Sequence, residues 1–278
     1  MLDVAIIGAG ELGGSLAHML AVRDSASHVR LIDGSATVAR GKALDIAQAG
    51  SVQEFATHIT GSHDLLVAAA SGAIVMADPI SRFGEPDDAA LLRRLLQIAP
   101  GAVLVCAQAS HQALVEQAVG QLGLSRTRIF GSAPEALSSA LRACVALEAR
   151  VSPRDVSLTI LGLPPHHTVV PWEEAAIGGL AMTRVLDETA RRRLAARVGP
   201  LWPPGPLALA AAACQTIDAM IGRSRRPISC FVGPDVSMGR RDRTVALPVR
   251  LGPSGIVSVD TPVLSVHEQV TLDNVRLL

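Results

Sequence analysis

Tyrosine is missing from the 278-residue chain, and with four Phe and two Trp the aromatic share is only 2%. So few rings cannot build the stacking platforms that bind single-stranded nucleic acid. An excess of one charge is missing too. The 25 Lys and Arg balance 25 Asp and Glu, so no net field draws the protein to a polyanion or an anionic membrane. Two short basic clusters, Arg191 to Arg193 and Arg223 to Arg226, suit a helix surface and a helix C-terminus. The four cysteines, Cys106, Cys144, Cys214 and Cys230, form no C-x-x-C. That spacing argues against a disulfide framework and a thiolate metal site, and for free thiols in a reducing compartment. Long apolar runs are lacking as well. The most apolar stretch, Leu207 to Cys214, is far too short to span a bilayer. The first strand is expected from residue 4, which leaves no room for a signal peptide. The expectation is a soluble cytoplasmic protein with no metal, no nucleic acid and no membrane partner.

What the chain does have is a large apolar fraction, 49%, enough for two domains or one large one. Its most informative stretch is the first thirty-odd residues. Val4 to Ile7 read as a buried parallel strand. Gly8-Ala-Gly10-Glu-Leu-Gly13 follows as G-x-G-x-x-G, and Asp33 lies twenty residues after the last glycine. Gly8 permits the tight turn, Gly10 lets a pyrophosphate approach the backbone, and Gly13 lets the next helix pack closely. That helix, Glu11 to about Val22, turns its N-terminal N–H groups toward the phosphates. Val29 to Ile32 form a second strand that places Asp33 at its carboxyl end. A carboxylate there accepts from ribose hydroxyls and repels a 2′-phosphate, favouring NAD over NADP. The alternative is a Rossmann-shaped domain that has kept the loop without binding a nucleotide.

The pattern continues as strand and helix in alternation. Helices are expected over 37–49, 89–99 and 111–122, the last capped by Ser110. Strands are expected over 56–60, 73–77, 102–106 and 128–130, with 65–70 open between a short helix and a returning strand. Residues 1–131 therefore read as a parallel, doubly wound α/β sheet. Residues 132–278 change character. Helices are expected over 137–149, 187–198 and 207–221, and strands over 156–161, 228–232, 244–251 and 256–259. A hairpin connection is expected between Gly233 and Asp242. Ser265 with Glu268 makes a capping box for a final helix. This half reads as α+β, with a twisted antiparallel sheet.

With these motifs in view the whole chain resembles the lactate/malate dehydrogenase family. The residues that carry the resemblance are the opening Gly-Ala-Gly-Glu-Leu-Gly, Leu31-Ile-Asp33, Gly41-Lys-Ala-Leu-Asp45 and Arg128-Ile-Phe-Gly131. Leu161-Gly162, Val170-Pro171 and the tail Leu247 to Ile256 with Leu264-Ser265 and Glu268 complete it. The resemblance implies NAD as cofactor, held here by Gly8, Gly10, Glu11, Leu12, Gly13, Asp33 and Ala77. It implies a small-molecule substrate at the junction of the halves, and a homodimer or homotetramer using the small-residue helix Gly41 to Ala49. It also implies a catalytic set: a His acid/base with an orienting Asp, one Arg for the substrate carboxylate, a second Arg for the carbonyl, and an Asn donor.

That set is altered here. In the mobile-loop pattern the first Arg position falls on Ser81, beside Arg82, and the second on Asp87 or Asp88. The Asn position is Gln108. The Leu-Asp-x-x-Arg pattern reads Ala136-Leu137-Ser138-Ser139-Ala140, with Arg142 two positions on. The Gly-x-His-Gly-Asp pattern reads Gly162-Leu-Pro-Pro-His166-His167, and Thr-Ala-Gly reads Met76-Ala77-Asp78. The catalytic candidates are therefore His166, with His167 as runner-up, Arg82 and Gln108. Arg142 is a reserve cation, and His111 reads as a first-turn surface residue, with lining the site beside Gln108 as the alternative. Two functional readings stand: an NAD-dependent oxidoreductase acting on a 2-hydroxy acid or related small substrate through an atypical site, or a non-catalytic member that has lost hydride transfer.

Overall fold

The computed structural model describes residues 2–79, 85–235 and 243–277. In chain order the first half runs β1 (Asp3–Ile7), α1 (Glu11–Val22), β2 (His28–Ile32), α2 (Ala36–Gln53), β3 (His58–Ser62), β4 (Ala73–Met76), α3 (Asp88–Ile98), β5 (Val103–Cys106), α4 (Gln112–Gly120) and β6 (Ile129–Gly131). The second half runs α5 (Ala133–Ala149), β7 (Val156–Ser157), β8 (Leu161–Leu163), β9 (His167–Val169), β10 (Ala176–Ile177), β11 (Leu180–Ala181), α6 (Met182–Val185), α7 (Glu188–Val198), α8 (Pro206–Met220), β12 (Ile228–Val232), β13 (Val245–Gly252), β14 (Gly255–Val259) and α9 (Val266–Leu277).

Strand order in the main sheet is β3-β2-β1-β4-β5-β6-β12-β13-β8-β9, with β14 on β13. The pairs from β3 to β6 are all parallel. Parallel strands need crossovers, and α1 to α4 supply them on both faces. The order reverses between β1 and β4, so a crevice opens there at the strands' carboxyl ends. Val4 and Ile6 pack into the core on one face, and Ala5 and Ile7 into the other. Each larger chain so buried contributes about 1.5–3 kcal/mol.

The second half continues the sheet: β12 pairs antiparallel with β6 through Phe231–Gly131 and Val232–Phe130. The Ala-rich α8 packs against α1 and is pinned by polar contacts at the far end. Asp218 accepts from Ser25 Oγ at 2.5 Å and pairs with Arg23 at 2.8 Å. Arg223 donates to the carbonyls of Arg23 and Asp24. The basic cluster at 223 thus closes a helix end onto α1.

Three local readings need correction. The strand expected over 156–161 is two short strands, β7 and β8. Its alternation is real, with Val156, Leu158 and Ile160 buried, but β7 joins a small sheet with β10 while β8 joins the main sheet. Ser110 is not a helix cap; Gln108 caps the turn Ala109–His111 that leads into α4. His111 is buried, not on the surface. Segment 65–70 is a 3-10 helix capped by Asp64. Residues 236–242, most of the connection expected after Gly233, lie outside the described residues.

Candidate functional site

The glycine loop is built by exclusion of side chains. Gly8 has φ +102°, which L residues rarely adopt. A Cβ on Gly13 would lie 1.9 Å from the Gly8 carbonyl oxygen, so only glycine lets α1 start this close to β1. Asp33 closes the loop from the end of β2. Its Oδ2 accepts from Ala9 N at 2.9 Å and its Oδ1 from Ser35 N at 3.0 Å. The sequence assigned Asp33 to ribose hydroxyls. Here the same carboxylate also sets the loop's shape.

The segment after β4 lies against this loop. Ala77 N and Asp78 N both donate to Ile7 O, at 2.9 and 3.2 Å, and Gln108 Nε2 donates to Ala77 O at 2.8 Å. Asp78 Oδ2 in turn accepts from Gly10 N at 2.6 Å. Around these residues lies a cavity of about 460 Å³ at the carboxyl ends of β1, β4 and β5. Glu11, Leu12, Ala77, Asp78 and Gln108 line its first-half side; Pro203, Pro204, Pro206 and Leu209 wall it from the second. Among the described residues that line it, Glu11 and Asp78 carry negative charge and none carries positive charge.

The remaining candidates do not meet there. His166 and His167 are exposed at the β8–β9 turn and do not line the cavity. Arg82 lies outside the described residues. Arg142 is buried in a pair with Glu135 at 2.7 Å, and Glu135 Oε2 also accepts from Ser229 N at 3.0 Å. Arg142 faces a separate cavity of about 530 Å³ with Arg226, Arg250, Glu174 and Asp260. Asp87, which with Asp88 is a candidate for the second arginine position, caps α3 by accepting from Ala90 N at 2.7 Å.

His111 is buried and does not line this cavity. Burial drives its pKa down to about 4, and Gln108 N donates toward its Nδ1 at 3.4 Å, so the neutral ring carries its proton on Nε2. Burial also raises Cys106 and Cys214 to about 12, which leaves both thiols protonated and unreactive. Among the described residues no group of three or more His, Cys, Asp or Glu is placed to hold a metal ion, and no helix is long and apolar enough to cross a membrane.

A doubly wound sheet, a glycine loop at its switch point and an acid at the end of β2 define a dinucleotide-binding protein of Rossmann type. Comparison with known proteins narrows this. Residues 2–116 match the family described as lactate/malate dehydrogenase, NAD binding domain. The malate dehydrogenase of Thioalkalivibrio sulfidiphilus is 29% identical over 280 residues, covering 93% of this chain and 91% of that protein. That of Thermomicrobium roseum is 27% identical over 289 residues, covering 97% and 93%. In solved structures the same fold occurs in malate dehydrogenase from Salinibacter ruber, with TM-score 0.87, 22% identity and coverage of 98% and 93%. It also occurs in the Cryptosporidium parvum lactate dehydrogenase complexed with lactic acid and nicotinamide adenine dinucleotide, with TM-score 0.85, 21% identity and coverage of 98% and 94%. Over residues 2–116 the chain carries the NAD-binding domain of the lactate/malate dehydrogenase family, and the nucleotide that domain is built for is NAD.

Proposed function

We propose that the protein is an NAD-dependent oxidoreductase of the lactate/malate dehydrogenase type whose substrate site is altered, so that it acts on a small hydroxylated substrate other than lactate or malate. The observation that carries this reading is the cavity beside the glycine loop: two carboxylates and no cation among its described lining residues. Residues 1–131 form the cofactor half and 132–278 the substrate half. Gly8, Gly10, Glu11, Leu12, Gly13, Asp33 and Ala77 hold the dinucleotide. The cradle has the parts for it: Gly8 and Gly10 stand at the N-terminus of α1, with the Asp78 side chain in the space beside them, and Asp33 stands at the end of β2. When bound, NAD supplies the hydride acceptor.

The chain's own residues then have limited means. In such a reaction hydride leaves the carbinol carbon while the O–H proton goes to a base, and in reverse the carbonyl oxygen develops negative charge that a donor must meet. Gln108 uses one amide N–H on Ala77 O and has a second for a substrate oxygen. A bidentate arginine would hold a substrate carboxylate. Arg142 instead holds Glu135, and the like-charged walls of the cavity repel a dicarboxylate. His166 is the candidate acid/base, reached only if the β8–β9 turn folds over the cavity, and Arg82 is the candidate cation. A non-catalytic, nucleotide-binding member is the second reading, favoured by the exposure of His166.

The test joins binding to turnover. Saturable enhancement of NADH fluorescence is expected, with oxaloacetate and pyruvate reduced at least about a thousandfold more slowly than a barrier with both cations would allow. Reduction of a neutral member of a panel of small ketones supports the first reading. NADH binding with no turnover across the panel supports the second. Robust oxaloacetate reduction lost in His166→Ala would overturn both.

For assembly we propose a homodimer formed through α2. Val38, Leu44 and Val52 are exposed on it, and Gly41 has open space around it. A monomeric mass of 28.9 kDa by light scattering would contradict this. Free, unpaired cysteines suit the reducing cytoplasm.

A further inference from the structure

Asp78 stands where the glycine loop should receive a phosphate. Its Oδ2 takes the Gly10 N–H at 2.6 Å. A Cβ built on Gly8 would lie 2.3 Å from Asp78 Cβ, and one on Gly10 2.7 Å from both Asp78 carboxylate oxygens. The two glycines leave room for a close approach to the backbone, and the Asp78 side chain fills that room. The position favours an anion for a general reason: it lies at the N-terminus of the twelve-residue α1, where free N–H groups and the helix dipole stabilise negative charge. A carboxylate from the chain itself thus replaces the anion that a dinucleotide would bring.

We infer that Asp78 is an internal competitor for the pyrophosphate position and sets the dinucleotide affinity of this protein. The inference rests on the cofactor assignment above and deepens it. Asp78's backbone is fixed by its N–H to Ile7 O and by Pro79, which holds the preceding residue in extended conformations. Release then includes rotation of the side chain away from Gly10. NAD seats after that rotation, and the carboxylate must then find another place beside two phosphates of like charge. Ligands without phosphate in this position do not meet the competitor.

Isothermal titration of NADH, ADP-ribose and adenosine into the wild type, Asp78→Asn and Asp78→Gly tests this. Asp78→Gly is expected to bind NADH and ADP-ribose at least tenfold more tightly than the wild type. Adenosine affinity is expected to change less than twofold. Asp78→Asn keeps the shape and an acceptor for Gly10 but removes the charge, so it separates competition by charge from loss of the loop contact. It is expected to gain most of the effect, and its thermal melt checks that the loop remains folded. Equal NADH affinity in all three proteins would overturn the inference and leave the cofactor assignment standing. Tighter adenosine binding by the same factor would overturn it as well, by showing a general opening of the pocket. No binding of NADH or ADP-ribose by any of the three would overturn the cofactor assignment itself.

Discussion

At the scale of single residues, two buried polar groups govern more than the surface charges do. Glu135 is 1% exposed and neutralises Arg142 while accepting from Ser229 N. Burial and the neighbouring Arg142 lower the Arg226 pKa, against the pull of Glu135. Removing one member of such a set leaves a charge without its partner. Glu135→Ala is therefore expected to destabilise the protein by about 3–5 kcal/mol, read as a lower urea midpoint. Adding Arg142→Met should recover part of the loss. His111 makes a pH-dependent contribution. Its pKa is about 4 when folded against an ordinary 6.5. The unfolded chain therefore takes up the proton first as pH falls. Full stability is present above 6.5 and declines between 6.5 and 4, by up to ~3 kcal/mol. Urea titrations at pH 7 and pH 5 should show a smaller decline in His111→Gln than in the wild type. An equal decline would assign the effect to carboxylates instead.

At the scale of elements, β1, the glycine loop and α1 were fully legible in the sequence, because local rules decide them. Four buried residues, glycines at fixed spacing and a helix N-terminus need no distant partner to be recognised. Gly13 shows how firmly such a position is fixed. With a Cβ 1.9 Å from a backbone oxygen, Gly13→Ala must push α1 off β1. Soluble expression should fall sharply, and any folded protein should melt well below the wild type, a loss of about 2 kcal/mol or more. Elements decided by distant partners were harder to read. Residues 156–161 have the alternation of one strand, yet the chain changes sheets within it, and Ser229 Oγ rather than a strand neighbour takes the Ile160 N–H. The helix α5 begins at Ala133 rather than Leu137 because Pro134 occupies its first turn, where a proline lacks only a donor that would be orphaned anyway. The capping box of α9 was legible and is formed: Ser265 Oγ accepts from Glu268 N at 3.4 Å, and Glu268 accepts from Ser265 N at 2.7 Å.

At the scale of the whole molecule, the cofactor half and the substrate half were not equally readable. A dinucleotide cradle is one loop plus one acid, and both lie within the first 33 residues. A substrate site gathers side chains from loops far apart, and their directions depend on packing. Arg142 could be located in the sequence, but not the buried Glu135 that holds it. Gln108 could be located, but not the Ala77 carbonyl it serves. Asp78 was visible as an acid beside a phosphate site; only the fold shows it bonded to Gly10. We propose that the protein keeps a dinucleotide pocket while its substrate side no longer serves malate or lactate chemistry. Single-turnover mixing of enzyme saturated with NADH against millimolar oxaloacetate tests it most directly. A saturable NADH signal is expected beforehand, and no NADH oxidation on the timescale of seconds after mixing. Rapid, stoichiometric oxidation of the bound NADH would contradict it.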